Sequence, residues 1–280
     1  MKRDALLVTV LILTAAVLLP TVGCNKLRAR DQLNKGVQAY KAARPEEAVD
    51  HFQQAIRLDG DLKVAKMYLA TVYAQQYVPD VNTPENLRNA QMAIDQYKEV
   101  LQSDPNNAIC LKGIANLYRE QGKFDDARTF VKKAIDADPN DPENYYTLGV
   151  IDFTQAFKNA ADVKTKEGIK PDDELKGKGS QKLCDELKSR DASIIDEGIK
   201  MLQTAIDKRQ DYDDAMVYMN LLYRRKAVDL NCDDAQARAD LLKSANEWSD
   251  KAMAARKRKQ EAAAKKGDVG GIHLDQPKSK

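Results

Sequence analysis

Two histidines, one tryptophan and four cysteines are all that 280 residues contain of the side chains that most often carry chemistry. One histidine, His51, stands beside Phe52 with no second ligand or base near it in the sequence, and the other, His273, lies close to the C-terminus. A metal site of the usual His/Cys kind therefore lacks ligands. No HExxH, GxSxG or phosphate-cradling glycine loop occurs, and no CxxC marks a redox pair. Paired acids such as Asp125–Asp126, Asp172–Asp173 and Asp213–Asp214 fall where helices should begin and suit the helix dipole. A calcium loop would need alternating acids around a central glycine, which is missing. Only 13 glycines and 9 prolines break the chain, and runs of Val, Ile and Thr are absent after the N-terminus. The expected fold class is therefore all-α, with no catalytic residue, no cofactor and no metal.

What is present is a polar, helix-forming composition with 43% hydrophobic and 31% charged residues. The net charge of +2 hides an asymmetry. Residues 1–23 carry +1 and residues 251–280 carry +6, which leaves an acidic body of −5 between them. A nucleic-acid-binding domain would concentrate positive charge on a folded face, so no nucleic acid is expected as a partner. The basic tail is read as solvated, with contact to anionic lipid as the alternative.

The N-terminus reads as an address. Lys2 and Arg3 precede an uncharged stretch from Ala5 to Leu19, followed by Pro20, Thr21, Val22, Gly23 and Cys24. A basic start, an apolar run and small residues at its end form an export signal, and the run is shorter than the roughly 20 residues a spanning helix needs. The TVGC ending resembles the lipobox of bacterial lipoproteins, with Thr21 departing from the usual leucine. That resemblance implies cleavage before Cys24, lipidation of its thiol and attachment to a membrane through the lipid; an uncleaved anchor and ordinary cleavage are the alternatives. Asn25, where the sorting rule of enteric bacteria has Asp for retention, implies the periplasmic face of the outer membrane in the cell envelope. Residues 1–23 are thus expected to be a signal peptide and 24–28 a short linker.

Beyond it the chain repeats itself. Ala48, Phe52, Ala55 and Gly60 are matched by Ala93, Tyr97, Val100 and Pro105, and again by Ala127, Val131, Ala134 and Pro139. Steps of four and seven place residues on one helical face, and the closing glycine or proline stops the helix. From Ala93 to Ala127 is 34 residues. Gly36 and Ala115 each lie twelve residues before the corresponding alanine, Gly122 marks a turn, and Tyr145, Leu148 and Gly149 open a further unit. This pattern resembles the tetratricopeptide repeat. More narrowly, the chain resembles predicted lipid-anchored tetratricopeptide proteins of soil bacteria such as acidobacteria. The resemblance implies a right-handed α-solenoid of about five helix pairs over residues 29–255. The units are about 29–62, 63–107, 108–141, 142–212 and 213–255, with inserted loops at about 76–89, 155–190 and 226–240. Residues 256–280 should form a basic, largely disordered tail, although helix formers from Ala252 to Lys266 extend the last helix into it.

Cys110 sits early in a repeat helix as a small packing residue. Cys184 and Cys232 fall in the insertions of successive units, which neighbour each other in a stacked array. In an exported protein they form a bridge or remain two thiols.

In tetratricopeptide arrays the first helix of each pair lines a concave groove. The register implies Tyr40 from the first unit, Met67, Thr71 and Gln75 from the second, and Lys112, Asn116, Arg119 and Lys123 from the third. Tyr146, Val150 and Phe153, then Val217, Leu221 and Arg224, continue it. Lys112 with Asn116 resembles half of the clamp that grips C-terminal carboxylates in chaperone-binding members. Thr147, Asp214 and Tyr218 stand where its other half belongs, so a mixed apolar and cationic groove for a helix or extended peptide is expected instead. The sequence thus points to a non-catalytic scaffold that binds other envelope proteins or peptides. A binder of cell-wall or secreted polymer is the alternative, and self-association is left open.

Overall fold

The computed structural model describes residues 24–175 and 179–268, and among them every regular element is a helix. The expected signal segment 1–23 and residues 269–280, His273 included, lie outside the described residues. Ten helices follow in order: α1 (24–41), α2 (Pro45–Leu58), α3 (Lys63–Gln76), α4 (Pro84–Ser103), α5 (Ala108–Glu120), α6 (Phe124–Ala137), α7 (Pro142–Thr165), α8 (Ser180–Lys208), α9 (Asp213–Leu230) and α10 (Ala235–Asp268). The chain divides into two compact units, one ending at Ala137 and one beginning at Asp138.

Local chemistry sets the helix ends. Proline fills the first turn of α2, α4 and α7, where its missing N–H costs nothing. Thr83, Asn107 and Asp141 cap α4, α5 and α7 by accepting from backbone N–H groups of Asn86, Cys110 and Glu143. Gly122 turns the chain between α5 and α6 with φ at +73°, a left-handed conformation that favours glycine.

In the first unit, α3 packs on α4 and α5 on α6, while α3 also meets α5 directly. The core holds the repeating alanines with Phe52, Tyr97 and Val100 at the larger positions. Pairing of small with large explains the spacing: a Cβ on Gly36 would lie 2.5 Å from the Phe52 ring, so α1 and α2 approach at a distance only glycine permits. The second unit repeats the device. Here α7 packs on α8, α9 on α10, and α7 meets α9, and Gly149 lies against Leu202, which is fully buried.

Three expectations need correction. Residues 24–28 are not a linker but the first turns of α1, where Lys26, Leu27 and Arg28 favour helix and Ala29 is already buried. The insertions mostly prolong helices instead of forming loops. Only residues 77–83 separate α3 from α4, α7 runs to Thr165, α8 begins at Ser180, and four residues separate α9 from α10. These stretches are rich in Ala, Lys, Leu and Asp with few breakers, so added residues add helical turns. The tail is helical to Asp268, and its charge is partly used within the fold: Arg256 Nε and Lys259 Nζ lie 2.9 and 2.5 Å from the two Asp213 oxygens at the start of α9. These cations hold the Asp213 carboxyl below the ordinary carboxylate range, with the Lys259 hydrogen bond the larger cause.

The longest excursion, after α7, is tied down by ions. Lys164, fully buried, places Nζ 2.5 Å from Asp229 Oδ1 and donates to the carbonyls of Pro171 and Asp173 at 3.1 and 2.9 Å. Arg225 donates to the Pro171 carbonyl at 2.7 Å and to Asp172 at 2.6 Å, and stands 3.3 Å from Asp229. Burial pushes the Asp229 carboxyl upward, while the Arg225 and Lys164 charges pull it back. Beside this network Cys184, in the first turns of α8, is joined to Cys232 between α9 and α10, with their Cα atoms 6.2 Å apart.

Candidate peptide-binding face

The first helix of each pair forms the inner layer, because α3 reaches α5 and α7 reaches α9 while the second helices within each unit do not meet. Residues on the open side of that layer are the ones a ligand would touch.

In the first unit, Gln75 donates to the Tyr40 hydroxyl at 2.6 Å, and the Tyr40 ring stands edge-on to Tyr68. Tyr40 and Gln75, with Ala43, Pro45, Val72 and Gln76, line a cleft of about 490 Å³. Met67 and Thr71, both half-buried, do not line it: the Thr71 hydroxyl donates to the Met67 carbonyl at 2.9 Å and lies 3.1 Å from the Tyr97 hydroxyl. On α5, Asn116 is committed within its own helix. It accepts from Arg119 at 2.6 Å and donates to Glu120 at 3.0 Å. The amide that resembled half of a carboxylate clamp is therefore occupied, and Lys112 beside it is also engaged. Lys123 instead covers the Tyr118 ring, 5.8 Å from its centre, with Lys98 at the same distance.

In the second unit the inner face carries connected rings. Tyr212 meets Tyr146 at 5.0 Å, Tyr146 meets Tyr218 at 5.7 Å, Tyr218 meets Phe153 at 5.4 Å, and Phe153 meets Phe157 at 6.0 Å between centres. One end is fixed by Glu143, which accepts from Arg209 and from the Tyr212 hydroxyl, both at 2.6 Å. Burial and that carboxylate raise the Tyr212 hydroxyl well above the ordinary tyrosine range. At the other end, Phe153, Leu221 and Arg224 come together as the register implied. They line a cleft of about 380 Å³ that also contains Phe157, Asp172, Arg225, Val228 and Leu242. Val150 and Val217 are half-buried and lie outside this cleft.

Phe157 was legible, since it lies four residues after Phe153 on the same helical face. Asp172, Arg225 and Leu242 were not, because a loop, a helix end and a third helix meet only once the chain has folded.

Nothing in this face resembles an activated nucleophile. The buried Cys110 thiol is pushed up to about 12 by burial and so stays protonated. His51 is paired with Gln32, 2.7 Å away. Among the described residues, no group of three or more His, Cys, Asp or Glu could hold a metal ion, and no helix is long and apolar enough to cross a membrane.

Residues 88–149 match the model of the tetratricopeptide repeat family. The structure of MamA from Desulfovibrio magneticus RS-1, residues 41 to the end, superposes with a TM-score of 0.53 at 16% identity, covering 82% of this chain and 96% of that one. The fold is a tetratricopeptide-repeat solenoid. A second crystal structure of MamA gives the same TM-score at 13% identity, over 89% of this chain and 98% of the other. No curated protein matches the sequence. Identity this low speaks for the fold alone. The tetratricopeptide register makes α1, α3, α5, α7 and α9 the first helices of the five pairs.

Proposed function

We propose that this tetratricopeptide protein is a non-catalytic scaffold that binds other proteins along its inner face. The observation that carries the reading is the cleft at the end of the ring row in the second unit, where apolar walls and a guanidinium lie together on exposed helix faces. Helix-in-groove and extended-peptide recognition both use such surfaces. The tyrosine and phenylalanine rings favour a protein over a wall polymer. Tyr146 and Phe153 each stand at 75° to Tyr218, so these rings do not lie flat in one plane as a stacking platform for sugars would.

The proposal includes an address. The lipobox resemblance at Cys24, an exposed free cysteine opening α1, supports a lipid anchor. On this reading the chain works in the cell envelope at the periplasmic face of the outer membrane, with envelope proteins as its partners. The bridge between Cys184 and Cys232 fits an oxidising compartment.

The test is crosslinking in intact cells of the C-terminally tagged full chain, with Cys24→Ser as the control for anchoring. One or a few proteins in stoichiometric amount, lost with Tyr146→Ala, is the expected result. Sedimentation of the purified protein with cell wall, together with an empty capture, would overturn the scaffold reading in favour of a polymer binder. A Cys24→Ser protein that stays in the membrane fraction would overturn the anchor.

A further inference from the structure

The charges around the cleft of the second unit are not equally engaged. Arg225 is almost fully buried and neutralised, with Asp172 on one side and Asp229 on the other, and its guanidinium lies 5.7 Å from the Phe157 ring centre. Lys164 beneath it is matched by Asp229. Asp172, the acid at the rim, is thus already answered by Arg225. Arg224 differs. Its Nε donates to the Asn220 side-chain oxygen at 3.3 Å and its Nη2 to that of Asn246 at 2.8 Å. Asn220 in turn donates to the Ala245 carbonyl at 2.5 Å. Both acceptors of Arg224 are neutral amides, and among the described residues no carboxylate pairs with it.

Two amides from α9 and α10 therefore hold a guanidinium in one orientation without cancelling its charge. The ordering cost of a long side chain is already met before any ligand arrives. Next to it Phe153, Phe157, Leu221, Val228 and Leu242 supply apolar wall, in a volume at the lower end of the range for ligand sites. A matching ligand must present bulk without polarity and, beside it, a fixed negative charge.

We infer that this cleft takes a segment of a partner protein in which a bulky apolar side chain sits next to an aspartate or glutamate, the apolar group seated between α7 and α9 and the carboxylate on Arg224. The inference deepens the proposed function and rests on the inner face being the binding surface. A peptide is favoured over a small amphiphile because the rings continue from Phe153 through Tyr218 to Tyr146, so the surface runs on beyond the cleft in a direction a chain can follow.

The experiment measures binding of labelled ten-residue peptides to the oxidised full chain by fluorescence anisotropy. The peptides have a Gly-Ser background and differ at four central residues: Leu-Phe-Asp-Glu, Leu-Phe-Asn-Gln, and Gly-Ser-Asp-Glu. The first is expected to bind at least about tenfold more tightly than either of the others, the gain a charge-assisted pair typically gives. Arg224→Gln, at an exposed position, should remove the advantage of the acidic peptide over its amide counterpart and leave affinity for the amide peptide unchanged. Leu242→Ala should weaken the two peptides containing Leu-Phe and spare neither preferentially. Equal binding of acidic and amide peptides, or an acidic preference that survives Arg224→Gln in a protein with wild-type circular dichroism, overturns the inference. Displacement of the acidic peptide by oleate with no loss in Arg224→Gln overturns the peptide as occupant. If partners captured in cells are lost with Tyr146→Ala but kept with Arg224→Glu, the scaffold stands and this cleft's specificity falls. An empty capture removes the scaffold itself.

Discussion

Replacing Gly149 by alanine tests whether close approach of paired helices holds this array together. A Cβ at that position would lie 2.5 Å from Leu202 Cγ, 2.7 Å from its Cδ2 and 3.3 Å from the Gly198 carbonyl oxygen. Carbon atoms pack comfortably at about 3.5–4.0 Å, so Leu202 would have to retreat by about 1 Å. It has nowhere to go, since it is fully buried within the core of the second unit. Overpacking of this kind costs about 1–3 kcal/mol. Alanine returns up to about 1 kcal/mol through its better helix propensity. A clash at 2.5 Å with a core side chain belongs in the upper part of the overpacking range, about 2–3 kcal/mol, so the expected net loss is about 1–2 kcal/mol. Trp248, the one tryptophan of the chain, lies on α10 and packs against the same core, so its fluorescence during urea unfolding reports the unit concerned. Leu202→Ala alone should cost about 2–5 kcal/mol by opening a cavity. The double variant should cost at least about 1 kcal/mol less than the two single losses together, because the added methyl enters space that Leu202 has vacated. A Gly149→Ala protein as stable as wild type or more so, with additive behaviour in the double variant, would refute the packing argument.

Asp191 is buried on α8, where burial pushes its carboxyl up to about 6 against the hydrogen bond from Asn159 at 2.5 Å. Folding therefore takes up a proton between about pH 4 and pH 6, and that stabilisation is complete below about 4 and lost as pH rises through 6; Asp191→Asn should remove up to about 3 kcal/mol of pH dependence, leaving the variant more stable than wild type at about pH 7.5 and similar to it at about pH 3.5 in urea titrations. Lys164→Met strands the Asp173 carbonyl and leaves both the Pro171 carbonyl and Asp229 to Arg225 alone, so it should cost about 3–5 kcal/mol in the Trp248 transition. A dithiol reductant should lower the stability of the second unit by about 4 kcal/mol, the loop-closure value for 48 residues, while Cys232→Ser should be indifferent to the same reductant.

The repeat was readable because its signal is local. Ala48, Phe52 and Ala55 share one face of a single helix, and a step of seven needs no knowledge of the neighbour. Gly36 and Gly149 were readable for the same reason, though the identity of the residue each admits was not. The insertions read as loops because residues beyond the repeat length have no place in its two-helix register. The stretch after Phe153 has no proline or glycine before Gly168, and a helix continues until something stops it. The cleft was half visible: Phe153, Leu221 and Arg224 follow from register, whereas Arg225 looks like any charged residue near a helix end. Its burial depends on Asp172 and Asp229, which lie 53 residues before it and one helical turn after it. Likewise Met67 and Thr71 occupy inner-helix positions but are half-buried and lie outside the cleft beside Tyr40, which periodicity does not show.

The placement of the bridging cysteines has a consequence for how the chain comes into being. Every helix of the first unit is complete by Ala137, and both cysteines of the bridge lie after it. A chain emerging from its N-terminus can thus close the first core with no redox chemistry at all. The bridge of the second unit must wait until residue 232 has emerged and an oxidant has reached it. Units that fold in order of emergence have fewer wrong partners to choose from. The bridge then acts as a late lock: it separates a newly made chain, whose first three helix pairs are already sound, from a finished one whose second unit is stapled.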